Sequence, residues 1–307
     1  MRRLNRFSLF VLILAVVVAL LFVADRRYRF AGQAAFDWKM FWQSDAVDTL
    51  GLDKYRVVID GKAIEGLSDD VSALSYDPDR KSLFTVTNQK NAIAELTLDG
   101  RTLRRIALVG FGDSEAIEYI SPGVYVISDE RRQRLIKVQI DDTTQSLDAK
   151  NAEQLTLGID AGGNKGYEGL AYDTVGKRLF IAKEREPVQI IEVRGFPKAA
   201  GDAPSVIEVT SDEKRNARLF VRDLSSLQFD ERSGHLLVLS DESRQIVEID
   251  TQGRPIGSAS LTAGNMGLKK DVPQAEGIAM DDQGTLYVVS EPNLFYVFRK
   301  PETQKAP

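Results

Sequence analysis

The 307-residue sequence predicts an all-β fold, a five-bladed β-propeller, preceded by a single N-terminal transmembrane helix. Three observations predict it. One uninterrupted apolar run lies near the start of the chain. Beyond Tyr55 no stretch of ten or more residues keeps a helical apolar stripe, while short β-branched runs separated by turn residues recur throughout. One strand–turn–strand unit also recurs five times, its starts 43, 53, 57 and 51 residues apart, which is the spacing of propeller blades.

The apolar run is Phe7 to Ala24, 18 residues with only Ser8 polar. At about 1.5 Å rise per residue it reaches roughly 27 Å, close to the hydrocarbon thickness of a bilayer. Arg2, Arg3 and Arg6 precede it and Asp25, Arg26, Arg27 and Arg29 follow, so the charge balance orients it only weakly. A cleaved signal peptide is the rival reading. The length of the run, and the lack of a small-x-small cleavage site at its end, favour an uncleaved signal-anchor. Residues 1–30 are thus expected to tether the chain to the inner membrane through residues 7–24, with the body in the periplasm. Residues 31–54 read as a juxtamembrane linker, whose Phe36, Trp38, Phe41 and Trp42 suit either the membrane interface or the surface of the domain. The propeller is expected over 55–300 and a short tail over 301–307.

The five units are "SALSYDPDRKSLFTVTNQK" from Ser72, "EAIEYISPGVYVISDER" from Glu115, "EGLAYDTVGKRLFIAKER" from Glu168, "SSLQFDERSGHLLVLSDES" from Ser225 and "EGIAMDDQGTLYVVSEPN" from Glu276. Each is a short strand, a turn and a second strand, followed by a further β run such as "AIAELTL" or "QIVEID". A single blade cannot bury both faces of its sheet, whereas five packed radially can, and the ring hides most strand edges. The last unit has only three strands, and "YRVVID" at 55–60 is an orphan, so a strand from each terminus is expected to close the ring. Residues 141–165 and 196–222 read as long connections rather than a sixth blade.

In such a ring both ends of every repeated hairpin lie on one face, near the axis. The openings supply Glu115, Glu168 and Glu276 together with Ser72 and Ser225. The closings "TNQK", "SDER", "AKER", "SDES" and "SEPN" supply Asn88, Asp129, Glu130, Glu184, Asp241, Glu242, Glu291 and Asn293. So many like charges at one mouth repel unless a cation sits among them. Arg131 and Arg185 of the same motifs are one source, and a bound metal is another. Oxygen ligands without nitrogen or sulfur select Ca²⁺ or Mg²⁺, and a roomy ring suits Ca²⁺ better. The plainer alternative, in which these acids cap strand ends and are solvated, stands beside it. The connections "LGIDAGGNKGYEG" and "LTAGNMGLKKDVPQAEG" bring Lys165, Lys269 and Lys270 to the same face, either as lips that meet an anionic ligand or as ordinary solvated loops.

Composition narrows the chemistry. There is no cysteine, hence no disulfide, thiolate metal site or cysteine nucleophile, and the only histidine, His235, reads as a partly exposed turn residue. The chain carries a formal net charge of −5, and setting aside residues 1–30, with six arginines and one aspartate, leaves −10. An acidic body argues against nucleic acid and for cations or basic partners.

The units "EAIEYI…YVISDER", "EGLAYD", "LLVLSDES" and "QAEGIAMDDQGTLYVVSEPNLFY", with "YRVVIDGKAIEGLSDDVSALSYD" ahead of them, resemble the YjiK family, also called SdiA-regulated proteins, over roughly Tyr55 to Arg299. One branch of that family is described as calcium-regulated β-propeller proteins. The resemblance implies a five-bladed, NHL-like propeller behind a membrane segment, with Ca²⁺ bound to the propeller and a role in calcium handling. It implies no ligand set. Three functions are therefore weighed. The first is a tethered Ca²⁺-binding module that senses the ion or meets a protein partner on the mouth face. The second is a calcium-dependent hydrolase, lactonase- or phytase-like, with Glu168 and Glu276 on the metal, Glu130 or Glu184 as base and Lys165 or Lys269 on phosphate. The third is a metal-free scaffold whose mouth carboxylates are fully paired with Arg131, Arg185 and backbone amides.

Overall fold

The computed structural model describes residues 6–42, 49–68, 70–158, 166–185, 187–198 and 206–301. Within them the strands form five sheets, one per predicted unit, and each unit begins with the innermost strand of its blade. The chain enters through β1 (Arg56–Ala63). Blade 1 then follows as β2 (Val71–Asp77), β3 (Ser82–Thr87), β4 (Ala92–Leu96) and β5 (Thr102–Val109). Blade 2 is β6 (Ser114–Ser121), β7 (Val124–Asp129) and β8 (Arg134–Gln139), completed by β10 (Glu153–Thr156). Between them β9 (Ser146–Asp148) crosses back to lie parallel against β5. Blade 3 is β11 (Tyr167–Asp173), β12 (Arg178–Lys183), β13 (Gln189–Arg194) and β14 (Glu208–Ser211). Blade 4 is β15 (Ser226–Asp230), β16 (His235–Ser240), β17 (Gln245–Ile249) and β18 (Pro255–Ser260).

Blade 5 has β19 (Ala275–Met280), β20 (Leu286–Ser290) and β21 (Leu294–Arg299) from the C-terminus and takes β1 as its outer strand. The pairing is antiparallel, from Arg56 opposite Arg299 to Ala63 opposite Leu294, so the orphan strand closes the ring as expected. The stretches 141–165 and 196–222 hold no sixth sheet among the described residues. They are more than connections, since they supply the outer strands β9, β10 and β14 and a short helix, α3 (Glu213–Arg218).

The core lies between blades. Where blades 5 and 1 face each other, Leu74, Leu83, Tyr287, Val289 and Phe295 interdigitate with almost no exposure. Each such side chain contributes roughly 1.5–3 kcal/mol of burial. Near the axis the packing is closer still. A Cβ on Gly277 would stand 2.4 Å from the backbone of Ala73, and one on Gly169 would stand 2.8 Å from that of Ser226. The glycines after Glu168 and Glu276 therefore let neighbouring inner strands approach and narrow the ring. Ala73 answers from β2 with a left-handed φ of 68° beside a β-bulge.

Residues 6–28 form α1 (Arg6–Tyr28), with exposed apolar side chains along most of its length, and Phe30–Trp42 form α2. The single spanning helix expected from the sequence is replaced by a broken pair. Among the described residues no single helix is long and apolar enough to cross a membrane. Leu9–Asp25 and Phe30–Met40, bent by 80°, meet the requirement together by length and composition. The expected linker is thus partly helical, and it docks. Phe36 is buried in a stack on Phe220, with ring centroids 4.9 Å apart, and a Cβ on Gly32 would overlap Phe220. Trp38 is exposed, while the side chains of Phe41 and Trp42 lie outside the description. His235 is buried rather than exposed, because Glu248 accepts from or donates to its Nδ1 at 2.7 Å and also takes the Leu50 amide at 2.9 Å. The segment before β1 folds over it, a contact 198 residues long in sequence that no local pattern reveals.

Candidate metal centre at one mouth of the pore

Glu115, Glu168 and Glu276 stand at the starts of β6, β11 and β19, where the inner strands leave the same face of the disc. Glu168 is the centre of the group. Protein surrounds it on most sides while it keeps some contact with solvent, and its carboxyl is held well above the usual range by burial and by repulsion from Glu115, Glu130, Glu184 and Glu276. Burial likewise pushes Glu115 up to about 8. Asp113 and Glu130 add repulsion there, and hydrogen bonds from Ser72 and Asn88 oppose it. Glu276 is also pushed up to about 8, by burial first and then by Asp241, Glu291, Glu115 and Asp223. Among the described residues no lysine or arginine is paired with any of the three.

The tightest knot is Asp113, Glu115 and Glu130, from which one carboxylate oxygen each lies within 4.8 Å of the others. Oxygens around a calcium ion at about 2.4 Å are separated by at most about twice that distance, so the knot fits one ion. Glu130 is drawn in by the Gly166 amide, which donates to it at 2.8 Å, and a Cβ at Gly166 would collide with the Glu130 side chain. Arg131 reaches Asp113 at 3.1 Å from the exposed side. An oxygen in the Ser225 hydroxyl, at the ring position equivalent to Glu168, is buried without a partner.

The remaining predicted acids are placed differently. Glu184 and Glu242 clamp Arg185, which donates to Glu184 from Nε at 2.6 Å and to Glu242 from Nη1 at 2.7 Å, and Arg222 reaches Glu242 at 2.8 Å. Asp241 accepts from the Ala275 amide at 3.1 Å, and Glu291 takes the Gln274 side-chain amide at 3.0 Å. Burial raises both carboxyls. Asp129 is committed elsewhere. It accepts from Arg134 at 2.8 Å and from the amides of Gly112 and Asp113, and these together outweigh burial and hold it below the usual range. Asn293 turns to the Leu67 carbonyl. Lys269 offers its backbone amide to Asp60 at 3.2 Å, and Lys165 lies outside the described residues. Sequence reasoning missed Asp113 and Asp223. Asp223 takes the Ser240 hydroxyl and the Glu242 amide at 3.1 Å. A signal for both was present, since Asp70, Asp113 and Asp223 each stand two residues before the hairpin opening in three of the five units.

A ring of five blades closed by both termini, with acids at the hairpin openings, is the setting in which a family profile for SdiA-regulated proteins matches residues 47–299. The chain belongs to the SdiA-regulated family. The match spans every blade of this SdiA-regulated protein and begins after α2. Solved structures similar to it include a gluconolactonase from Xanthomonas campestris, at 8% identity and a TM-score of 0.48 over 78% of this chain and 89% of that one. A luciferin-regenerating enzyme matches at 14% and 0.46 over 79% and 95%, and a chain of the nidogen–laminin complex at 14% and 0.45 over 77% and 84%. Likeness at this level says nothing of chemistry.

Proposed function

We propose that this SdiA-regulated protein is a divalent-cation-binding propeller, suited to hard cations by its oxygen-only donors and to Ca²⁺ over Mg²⁺ by a roomy mouth, that works as a sensing or interaction module. The observation that carries the reading is Glu168, an enclosed carboxylate facing four others with no described cation beside it. Asp113, Glu115 and Glu130 would hold the ion, with Glu168 and Glu276 completing its charge environment. Bound Ca²⁺ would supply the positive charge that lets these side chains ionise together, and would fix the loops around the mouth for a partner to read.

We place the propeller at the inner membrane, facing the periplasm, tethered by residues 7–24. Support comes from the exposed apolar side chains of α1 and from α2, which packs through Phe36 on Phe220 in the loop ahead of β15 and so holds the helical segment against blade 4. Two measurements test the proposal. Calcium titration of the full chain in detergent, followed by calorimetry, should show saturable binding that Glu168→Gln with Glu115→Gln removes; no binding in the wild type overturns the site. Protease added to spheroplasts should digest the propeller, and complete protection would overturn the orientation.

A further inference from the structure

The opposite end of the pore is built from different chemistry. Four residues along β6 from Glu115, a rise of about 13 Å, the blade turns surround a cavity of about 360 Å³, within the roughly 300–1,000 Å³ range of small-molecule pockets. The repeat itself sets its wall. One position of the five inner strands supplies Tyr76, Tyr119, Tyr172, Phe229 and Met280, and all five line the cavity. One residue earlier, the same strands contribute Ser75, Glu118 and Gln228 to its lining, with alanine in the other two blades.

Glu118 has no acidic counterpart at that position. It is 8% exposed, accepts from the Ser75 hydroxyl of β2 at 3.0 Å and from the Tyr172 amide of β11 at 3.0 Å, and so ties three blades together at the cavity. Burial pushes its carboxyl up to about 8, and Glu231 on the rim adds repulsion. Two tyrosine hydroxyls are engaged by turn carboxylates, Tyr76 by Asp282 at 3.2 Å and Tyr119 by Asp79 at 2.5 Å. A phenol that donates to a carboxylate has a more electron-rich ring, which strengthens its attraction for a cation. The site already shows that preference. The Lys81 ammonium stands 5.9 Å from the centre of the Tyr76 ring while pairing with Asp282. Around the lining, Glu118, Asp230, Glu231, Asp281 and Asp282 meet two cations, Arg232, which is drawn to Asp230 at 3.0 Å, and Lys81, which is drawn to Asp282 from the rim.

We infer that this cavity is a second ligand site, separate from the carboxylate mouth, that takes a small organic cation, an alkylammonium or guanidinium group held within the Tyr76, Tyr119 and Tyr172 wall and over Glu118. The repeat position supplies the aromatic wall, and the turn carboxylates supply the charge together with Glu118, which a bound cation would help to ionise. A neutral ligand of the same shape would fill the cavity without meeting either requirement.

Isothermal titration of the full chain in detergent, at constant calcium, uses choline, agmatine and the uncharged carbon isostere of choline as probes. One of the cations should bind saturably and the isostere at least about tenfold more weakly. Glu118→Gln and Tyr172→Leu should each weaken the cation about tenfold, while Glu276→Gln at the other mouth leaves it unchanged. If Glu118→Gln does not fold, Tyr76→Leu on the more open rim gives the same reading. The inference is overturned if neither cation binds below about 10 mM, if the isostere binds as well, or if Glu276→Gln removes binding as completely as the cavity variants.

Discussion

Two sectors of one mouth carry the same acids and neutralise them in opposite ways. Between blades 3 and 4, Glu184 and Glu242 share Arg185, and Arg222 joins them from the loop ahead of β15. At the hairpin openings of blades 2, 3 and 5, Glu115, Glu168 and Glu276 have no such partner among the described residues, and their carboxyls are held high instead. One sector has its cations built into the chain, and the other leaves the charge to be met from solution. The number of acids alone therefore does not set the capacity for metal. The paired sector sets the background against which the open one can respond.

Calcium gives the largest way to break this comparison. At about a hundredfold excess over its Kd a ligand adds about 2.7 kcal/mol to the folded state, so the full chain should melt about 5–10 °C higher in Ca²⁺ than in EDTA. Identical melting curves would erase the distinction between the sectors. The metal-free protein should also lose stability as pH rises. Glu115, Glu168 and Glu276 hold protons in the folded chain that the unfolded chain releases near 4.5, so the folded state binds more protons between about 4.5 and about 8, and stability falls across that window. Saturating Ca²⁺ should flatten that slope, as melting temperatures taken from pH 5 to 9 would reveal.

Glu168→Gln removes a carboxyl that the folded chain must keep protonated, and at pH 8 without calcium it should stabilise the protein by about 1–2 kcal/mol while weakening its calcium response. A destabilised variant would mean that Glu168 has a partner of its own. In the paired sector the sign reverses. Arg185→Met leaves Glu184 without its guanidinium and Glu242 without one of its cations, and should cost about 1 kcal/mol, discounted for the 38% of Arg185 that is exposed. Part of that loss should return when calcium is added, in a denaturant titration with and without the ion. Glu291→Gln, at the rim beside Gln274, is the smallest change, below about 0.5 kcal/mol. A larger effect in chemical denaturation would extend the open sector to the rim.

Periodicity made the ring legible, because every blade repeats the same hairpin and the strand count at the two ends demands a shared blade. It also carried the three glutamates at hairpin openings, since the repeat phase puts equivalent positions on one face. Pairing was harder to read. Asp129 and Glu130 are adjacent in sequence, yet Asp129 lies directly opposite Arg134 in the β7–β8 register and is taken by it, while Glu130 reaches across to Gly166. Which acid finds a guanidinium depends on register and on contacts between blades. Asp113 and Asp223 were visible as a recurring aspartate ahead of three hairpins, a weaker pattern than the glutamates because the other two blades carry glycine and glutamine there. Glu118 has no such signal, because its role is to join the inner strands of the two neighbouring blades.

The closure of blade 5 has a mechanical consequence. Strand β1 follows the N-terminal helices and runs antiparallel to β21, the last strand of the chain. A pull applied through those helices would first load the contact of Phe36 on Phe220, and would then reach the ring along β1 and load its pairing with β21 in shear, spread over the register from Arg56 to Ala63. The ladder's hydrogen bonds would then share the load instead of opening one after another. A propeller held from its first strand resists unravelling from that end, and the clasp that completes the fold is also where the N-terminal helices lead into the ring.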